Sequence, residues 1–492
     1  MGDRMSSSST IDFERIFHPR RVAIVGVSSE GFGFGSLMLV SLRSMGFEGE
    51  IFPVNPKGGT FAGLTIYKQV EDIPGTIDLA VIAVVARHVP EALEACRRKG
   101  AAGAEILSAG FSEAGTQEGI ALEEEIRRIA KRGIQVIGPN CFGIYCPRSG
   151  LTFLPGPDLS RTSGDVAFFA QSGGMSVDLA HIGKWMGIRF KAMVSFGNGA
   201  DVRETQLLDY FADDEETRVI SLYVEGVEDG TGFFHTLKRV AAQKPVIIMK
   251  GGLSESGQRA VMSHTASLGG DRAIWESMLR QSGAIQVRDL NELAHACLAF
   301  SLLPIRRYKG ITIIGGGGAV GVAACDTAEI YGMELPHFQG EIHDRILQNL
   351  PRPGSSAANP IDVANPLVPP QVLRGVLLEA GRDERVDLQI MVPMLYHYKS
   401  LAIQMGVASV KEITPYLELA EMIRETSGKT NKPVILVLPN HKRDLESMDI
   451  EEMLREARQA FLERGIPVFD NLKDAFQAIA HISAYSSPQM RT

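Results

Sequence analysis

The sequence predicts an α/β protein made of three parallel-sheet domains. Three observations lead there. The chain has 492 residues, and at about 150 residues per domain that is room for three. Short apolar runs alternate with amphipathic helical runs, the pattern of parallel strands covered by helices on both faces. Several of those runs break into glycine-rich turns, where open parallel sheets place their ligands. The 45% hydrophobic and 22% charged residues fit a globular protein with a sizeable core.

The first domain, expected over 1–150, has strands at 22–26 ("VAIVG"), 51–54 ("IFPV"), 79–85 ("LAVIAVV"), 104–108 ("AEILS") and 134–138 ("IQVIG"). Helical runs such as "VPEALEACRRKG" lie between them and end in basic residues followed by glycine, an ordinary helix exit. A Pro/Gly-rich passage at 146–165 reads as a linker. The second domain, 151–305, restarts the alternation at 166–170, 190–195, 219–224, 245–250 and 284–287, closing with the helical run "LNELAHACLAFSLLP". The third, 306–492, opens with "KGITIIGGGGAVGVAACDTAEIYG" and has further strands at 387–392 and 433–438.

The formal net charge of −8 argues against broad nucleic-acid or anionic-membrane binding. Five scattered cysteines show no paired metal-ligand spacing and read as reduced thiols, Cys141 as a packed one, in a cytoplasmic setting. The start "MGDRMSSSST" has no apolar signal core, and no apolar run is long enough to span a bilayer.

The turns beyond the strand ends carry the chemistry. The first strand runs into "GVSSEGFGFGS", Gly26 to Ser36, which lets backbone N–H groups approach a pyrophosphate. Ser28 replaces the second glycine of the dinucleotide fingerprint. The second strand ends in "VNPKGG", with Lys57 where NAD-binding folds place an acid. A lysine there favours a ligand with an additional phosphate, which leaves NADP and coenzyme A. In the second domain "QSGG" opens a helix, so Ser172, Gly173 and Gly174 form an anion site. Glu225 follows an apolar strand, and a buried carboxylate needs a partner.

His264 sits in "SHTASLGG", within a glycine-bounded loop expected over 251–270 on the same sheet edge. A neutral imidazole is a nucleophile near pH 7, a carboxylate can orient it, and a helix N-terminus can hold a phosphoryl group attached to it. The residues leave two readings open: a transiently phosphorylated histidine, or a structural histidine in a surface loop. No second His or Cys accompanies it to make a metal site.

With these motifs in place, the sequence resembles the α-type subunit of NDP-forming acyl-CoA synthetases, the ADP-forming acetate–CoA ligases, relatives of succinyl-CoA synthetase. The resemblance rests on colinear motifs along nearly the whole chain: "FHPRRVAIVGVSS", "PVNPKGGTFAGLTIYKQVEDIP", "ILSAGFSEAG", "IGPNCFGI", "GDVAFFAQSGG", "VSFGNGADV", "YVEGVEDG", "KPVIIMKGG" and "SHTASLGG". It implies a Rossmann-like CoA-binding domain followed by two flavodoxin-like domains. It implies that His264 is phosphorylated and steadied by Glu225, that Ser172, Gly173 and Gly174 hold the phosphate, and that Gly26, Ser28, Lys57, Ser108, Gly110 and Asn140 border coenzyme A. The implied reaction interconverts acyl-CoA, phosphate and NDP with a carboxylic acid, CoA and NTP. ATP/ADP with Mg²⁺ is expected mainly on a separate ATP-grasp β subunit, in an α2β2-like assembly.

Three departures from the family pattern stand out: Ala266 for glycine after Ser-His-Thr, "GGGGAVG" at 315–321, and Gly199 in "GNGAD". The alternative from another class is a CoA-binding regulatory or scaffold protein without ligase activity. An NADP oxidoreductase is weakened by the missing fingerprint.

Overall fold

A computed structural model describes residues 11–31, 33–154, 158–265 and 271–487, with 262–265 described by backbone alone. The chain forms two compact units, Met1–Lys184 with Ile188–Leu293, and Trp185–Gly187 with Ala294–Thr492. No helix among the described residues is long and apolar enough to cross a membrane.

The first unit holds two sheets. In chain order its first part runs α1 (Phe13–Phe17), β1 (Arg21–Val25), α2 (Phe34–Met45), β2 (Glu50–Val54), a hairpin of β3 (Thr60–Phe61) and β4 (Leu64–Thr65), β5 (Leu79–Ile82), α3 (Val89–Arg98), β6 (Gly103–Ile106), α4 (Gln117–Ala130) and β7 (Gln135–Ile137). The five long strands pair in parallel in the order β2-β1-β5-β6-β7. The helices start and stop where side chains dictate. Thr116 caps α4 by accepting from the Gly119 N–H at 3.1 Å, and α3 and α4 both carry arginines in their last turn.

The second part follows with β8 (Gly143–Tyr145), β9 (Val166–Ala170), α5 (Gly173–Met186), β10 (Phe190–Ser195), α6 (Glu204–Asp213), β11 (Val219–Val224), α7 (Gly230–Ala241), β12 (Val246–Lys250), α8 (Glu255–Thr265), α9 (Arg272–Ser282) and β13 (Ile285–Val287); α10 (Leu290–Leu302) begins here and belongs from Ala294 on to the second unit. Its sheet runs β13-β12-β11-β9-β10-β8. Strand β8 is antiparallel to β10 and lies at the edge, so the chain enters the second sheet before the 146–165 passage. Three residues, "GIY", are too few to show a period in the sequence.

Both sheets share one logic. The second strand lies on one side of the first and the third on the other, so each has a switch point. In the first sheet it falls between β1 and β5, in the second between β9 and β11. Crevices open there, beyond the carboxyl ends of the strands. Strand β9 is buried over all five residues, as both-face coverage of a parallel sheet requires.

One core serves both sheets. Phe13 and Phe17 of α1, which precedes the first sheet, pack on Tyr210 of α6 beside the second, with ring centroids 4.7 and 5.2 Å apart. Phe211 continues the stack onto Phe169 of β9 at 6.2 Å. These rings and the apolar residues around them form one contiguous cluster. Each such ring contributes about 1.5–3 kcal/mol by leaving water.

The second unit runs β14 (Ile311–Gly315), α11 (Gly317–Ile330), α12 (Gly340–Asn349), α13 (Pro370–Gly381), β15 (Leu388–Val392), α14 (Tyr398–Met405), α15 (Tyr416–Thr430), β16 (Val434–Val437), α16 (Met448–Leu462), β17 (Val468–Phe469) and α17 (Leu472–Tyr485). Its parallel sheet follows sequence order, β14-β15-β16-β17. It is the parallel-sheet domain expected, with the second strand of a flavodoxin-like order reduced. Where a second strand would lie, single parallel bridges from Glu334 and Ile361 stand beside β14. The proline-rich 350–370 segment supplies one of them, because proline withholds the N–H groups a regular strand needs.

Candidate functional site

In the second sheet the crevice between β9 and β11 is built from both strand ends. Gln171 follows β9. Its side-chain Oε1 accepts from the backbone N–H groups of Glu225 and Gly226, which follow β11, the latter at 3.1 Å. One amide thus ties the two lips together. Next to it, Ser172 caps α5: its Oγ accepts from the Met175 N–H at 3.3 Å. A Cβ on Gly173 would lie 2.9 Å from the Phe142 ring, whereas a Cβ on Gly174 would meet nothing within 4 Å. The glycine pair therefore serves two ends, one packing and one openness. Among the described residues nothing covers the N-terminus of this 14-residue helix, whose partial positive charge faces the ends of β9 and β11.

Glu225 is 6% exposed. The Tyr223 hydroxyl donates to its Oε1 at 3.1 Å. Burial and the Glu225 charge push the Tyr223 phenol above its ordinary range, so it stays a donor.

The histidine segment corrects one expectation. The sequence reads as loop over 251–270, but α8 occupies Glu255–Thr265, and the His264 backbone lies in its last turn. Ser254 caps this helix by accepting from the Gly257 N–H at 3.1 Å, and Val261 anchors it in the core. The His264 side chain and residues 266–270 lie outside the described residues. Helix α8 packs against the turn at Ser112–Ala114, beyond the end of β6. The histidine-bearing helix thus reaches the edge of the first sheet.

That edge holds the other predicted residues. Gly26 ends β1 at φ +109°, where a Cβ would collide with the Ala83 carbonyl oxygen. Helix α2 has no side-chain cap at Gly33, and among the described residues Cβ atoms at Gly31 and Gly33 would meet nothing within 4 Å. Open space before an uncapped helix N-terminus fits a phosphate-bearing ligand. Ser28 is turned inward to the loop: its N–H donates to Ser36 Oγ at 3.0 Å, and its Oγ accepts from the Glu30 N–H at 3.2 Å. Lys57 is exposed and pairs with the exposed Glu30 at 3.3 Å.

Ser108, Gly110 and Asn140 lie across β5 from these. Ser108 Oγ donates to the Val84 carbonyl, and the Asn140 N–H donates to the Ser108 carbonyl at 2.9 Å. The Gly110 N–H donates to Glu113 at 2.6 Å. These residues brace the edge. The "GNGAD" turn braces it too. Asn198 donates to Glu113 at 2.6 Å and Glu123 at 2.9 Å, and Asp201 accepts from the Val136 N–H at 2.8 Å. Cys141 is packed, its thiol donating to the Ile106 carbonyl at 3.3 Å and pushed up in pKa by burial.

Sequence reasoning missed Gln171, Tyr223 and Lys250 as site residues. Gln171 adjoins the quoted "SGG", and Lys250 closes the apolar run "VIIMK", a charge where an apolar residue was due. Among the described residues, no cluster of three His, Cys, Asp or Glu is placed to hold a metal.

Comparison with known proteins gives the family and the fold. Residues 20–147 match the family model of a CoA binding domain, and residues 163–300 that of a succinyl-CoA ligase like flavodoxin domain. The chain is 33% identical over 483 residues to the acetate–CoA ligase [ADP-forming] I subunit alpha of Pyrococcus furiosus, covering 97% of this chain and 98% of that one. It is 37% identical over 382 residues to the acetate–CoA ligase [ADP-forming] I of Archaeoglobus fulgidus. The match covers 77% of this chain but only 54% of that relative, so the chain spans about half the length of some relatives it matches. Among solved structures, the dinucleotide forming acetyl-coenzyme A synthetase 1 of Ca. Korarchaeum cryptofilum, in complex with phosphate and ADP, superposes with a TM-score of 0.80 at 30% identity, over 96% of this chain and 97% of that one.

Proposed function

The chain belongs to the family of ADP-forming acetate–CoA ligase α subunits, and from that premise we propose that it is the α subunit of an acyl-CoA synthetase that works through a phosphohistidine. The observation that carries the proposal is the β9–β11 crevice. There a helix N-terminus and a buried carboxylate sit at adjacent strand ends, joined by Gln171, and the next strand leads into the helix that bears His264.

Phosphate attacks the thioester carbonyl of acyl-CoA, and an acyl phosphate and CoA thiol result. The imidazole of His264 then takes the phosphoryl group, and the carboxylic acid leaves as carboxylate. Transfer to NDP regenerates the free imidazole. The N–H groups at Gly173 and Gly174, with the Ser172 hydroxyl, stabilise the phosphoryl oxygens where negative charge gathers. Glu225 holds the imidazole in one tautomer and offsets the positive charge it gains. CoA lies along the first sheet edge, its phosphates toward the α2 N-terminus and Lys57, past the braces at Ser108, Gly110 and Asn140. We assign the nucleotide and its Mg²⁺ to an ATP-grasp β subunit in an α2β2-like assembly, and the protein to the cytoplasm.

The test is direct. The chain is co-expressed with its candidate ATP-grasp partner and given Mg²⁺ and γ-³²P-ATP. Acid-labile, base-stable label is expected on wild type and absent from His264→Ala. No label on wild type beside a demonstrably active partner would sink the ligase reading and favour a CoA-binding scaffold.

A further inference from the structure

Beneath Glu225 lies a charge that the mechanism above leaves unused. Lys250 is the last residue of β12 and is 6% exposed. Its Nζ donates to the carbonyl oxygen of Glu225 at 2.8 Å and to that of Gly251. The Trp275 ring of α9 covers it, with Nζ 4.9 Å from the centroid. Glu225 is therefore held on three sides: its N–H by Gln171, its carboxylate by Tyr223 and its carbonyl by Lys250. Gly251 is the first residue of the connection leading to α8.

Taking an ammonium out of water is expensive, and an apolar side chain of similar length would pack at lower cost. Something other than packing accounts for a cation here. Resting on the phosphohistidine reading, we propose that Lys250 is a positioning residue for phosphoryl transfer. It joins the acid to the root of the histidine-bearing segment and supplies a positive charge that offsets the buried Glu225 carboxylate. Burial lowers the Lys250 pKa to about 8, opposed by the Glu225 charge. Among the described residues the titratable groups that face it are Glu225, which follows β11, and Tyr223 of β11, and Tyr223 stays neutral across this range. Below about pH 8 the ammonium is charged and both carbonyls are held. Above it the charge is lost and the clamp loosens.

The experiment measures the single-turnover labelling rate of the complex with γ-³²P-ATP from pH 6.5 to 9.5. Wild type, Lys250→Met and Lys250→Arg are compared, with CoA binding measured alongside. In wild type the rate should fall through about pH 8 and level off near that of the methionine variant, about tenfold in all. Lys250→Met should slow labelling about tenfold or more and flatten that limb, with CoA affinity unchanged. Lys250→Arg keeps a charge that does not titrate here, so it should label and show no limb, even if the methionine variant folds poorly. A limb that persists unchanged in Lys250→Arg, or wild-type labelling by Lys250→Met, would overturn the inference and leave the phosphohistidine standing. An unlabelled wild type would overturn both.

Discussion

Two acids near the junction of the first two sheets show how much a single side chain decides. Asn198 gives its amide to Glu113 and Glu123 together. Asn198→Ala leaves two carboxylates facing each other without a shared amide donor, at a cost of about 2–3 kcal/mol; the urea midpoint of unfolding should fall accordingly. Glu105 is 2% exposed, and burial raises its pKa to about 8. A carboxyl raised in this way favours the fold fully below its ordinary range, near 4.5. That stability is lost as pH rises toward 8, because the unfolded chain ionises first. By pH 7 the loss is about 3 kcal/mol. Glu105→Gln should therefore raise Tm by a margin that grows from pH 5 to pH 8 and then stops growing. The readable part of the site was the part set by chain neighbours: Ser172–Gly174 after a strand, Glu225 after another. Gln171 and Lys250 act across strands, and their partners depend on the register of β9, β11 and β12, which no local pattern encodes; Tyr223 stands two residues before Glu225 on the same face of β11 and reads as one more apolar strand residue.

At the scale of elements, packing sets the glycines. A Cβ on Gly35 would lie 2.7 Å from the Gly26 carbonyl oxygen, so α2 rests its first turn on the end of β1. Gly35→Ala should push that helix outward, destabilise the fold by about 1–3 kcal/mol and weaken CoA binding at least tenfold by calorimetry, since the N-terminus meant for phosphate moves with it. The long strands were legible because full burial on both faces makes them continuous apolar runs; β9 and β11 fall where the runs are. Strand β8 and the β3–β4 hairpin were not, being two or three residues long and held by tertiary pairing. Helix α8 was hidden by its glycine and serines, which suggest loop until the Ser254 cap and the Val261 anchor are seen.

For the whole molecule, the ligand tells the fold families apart. CoA at a hundred times its Kd should raise apparent stability by about 2.7 kcal/mol in a thermal melt, while NADP should leave the transition in place. The aromatic stack running from Phe13 through Tyr210 and Phe211 to Phe169 bears on something different, the history open to such a chain. A gene broken in the 146–165 passage would send each product out with half of a shared interior, Phe17 stripped of Tyr210 on one side and Phe169 still flanked by orphaned helices on the other. Each fragment should unfold at a lower temperature than the intact block, with apolar surface left uncovered. A cut that keeps the block through Leu293 whole should leave that interior intact, because the cluster shared by the two sheets then stays within one product.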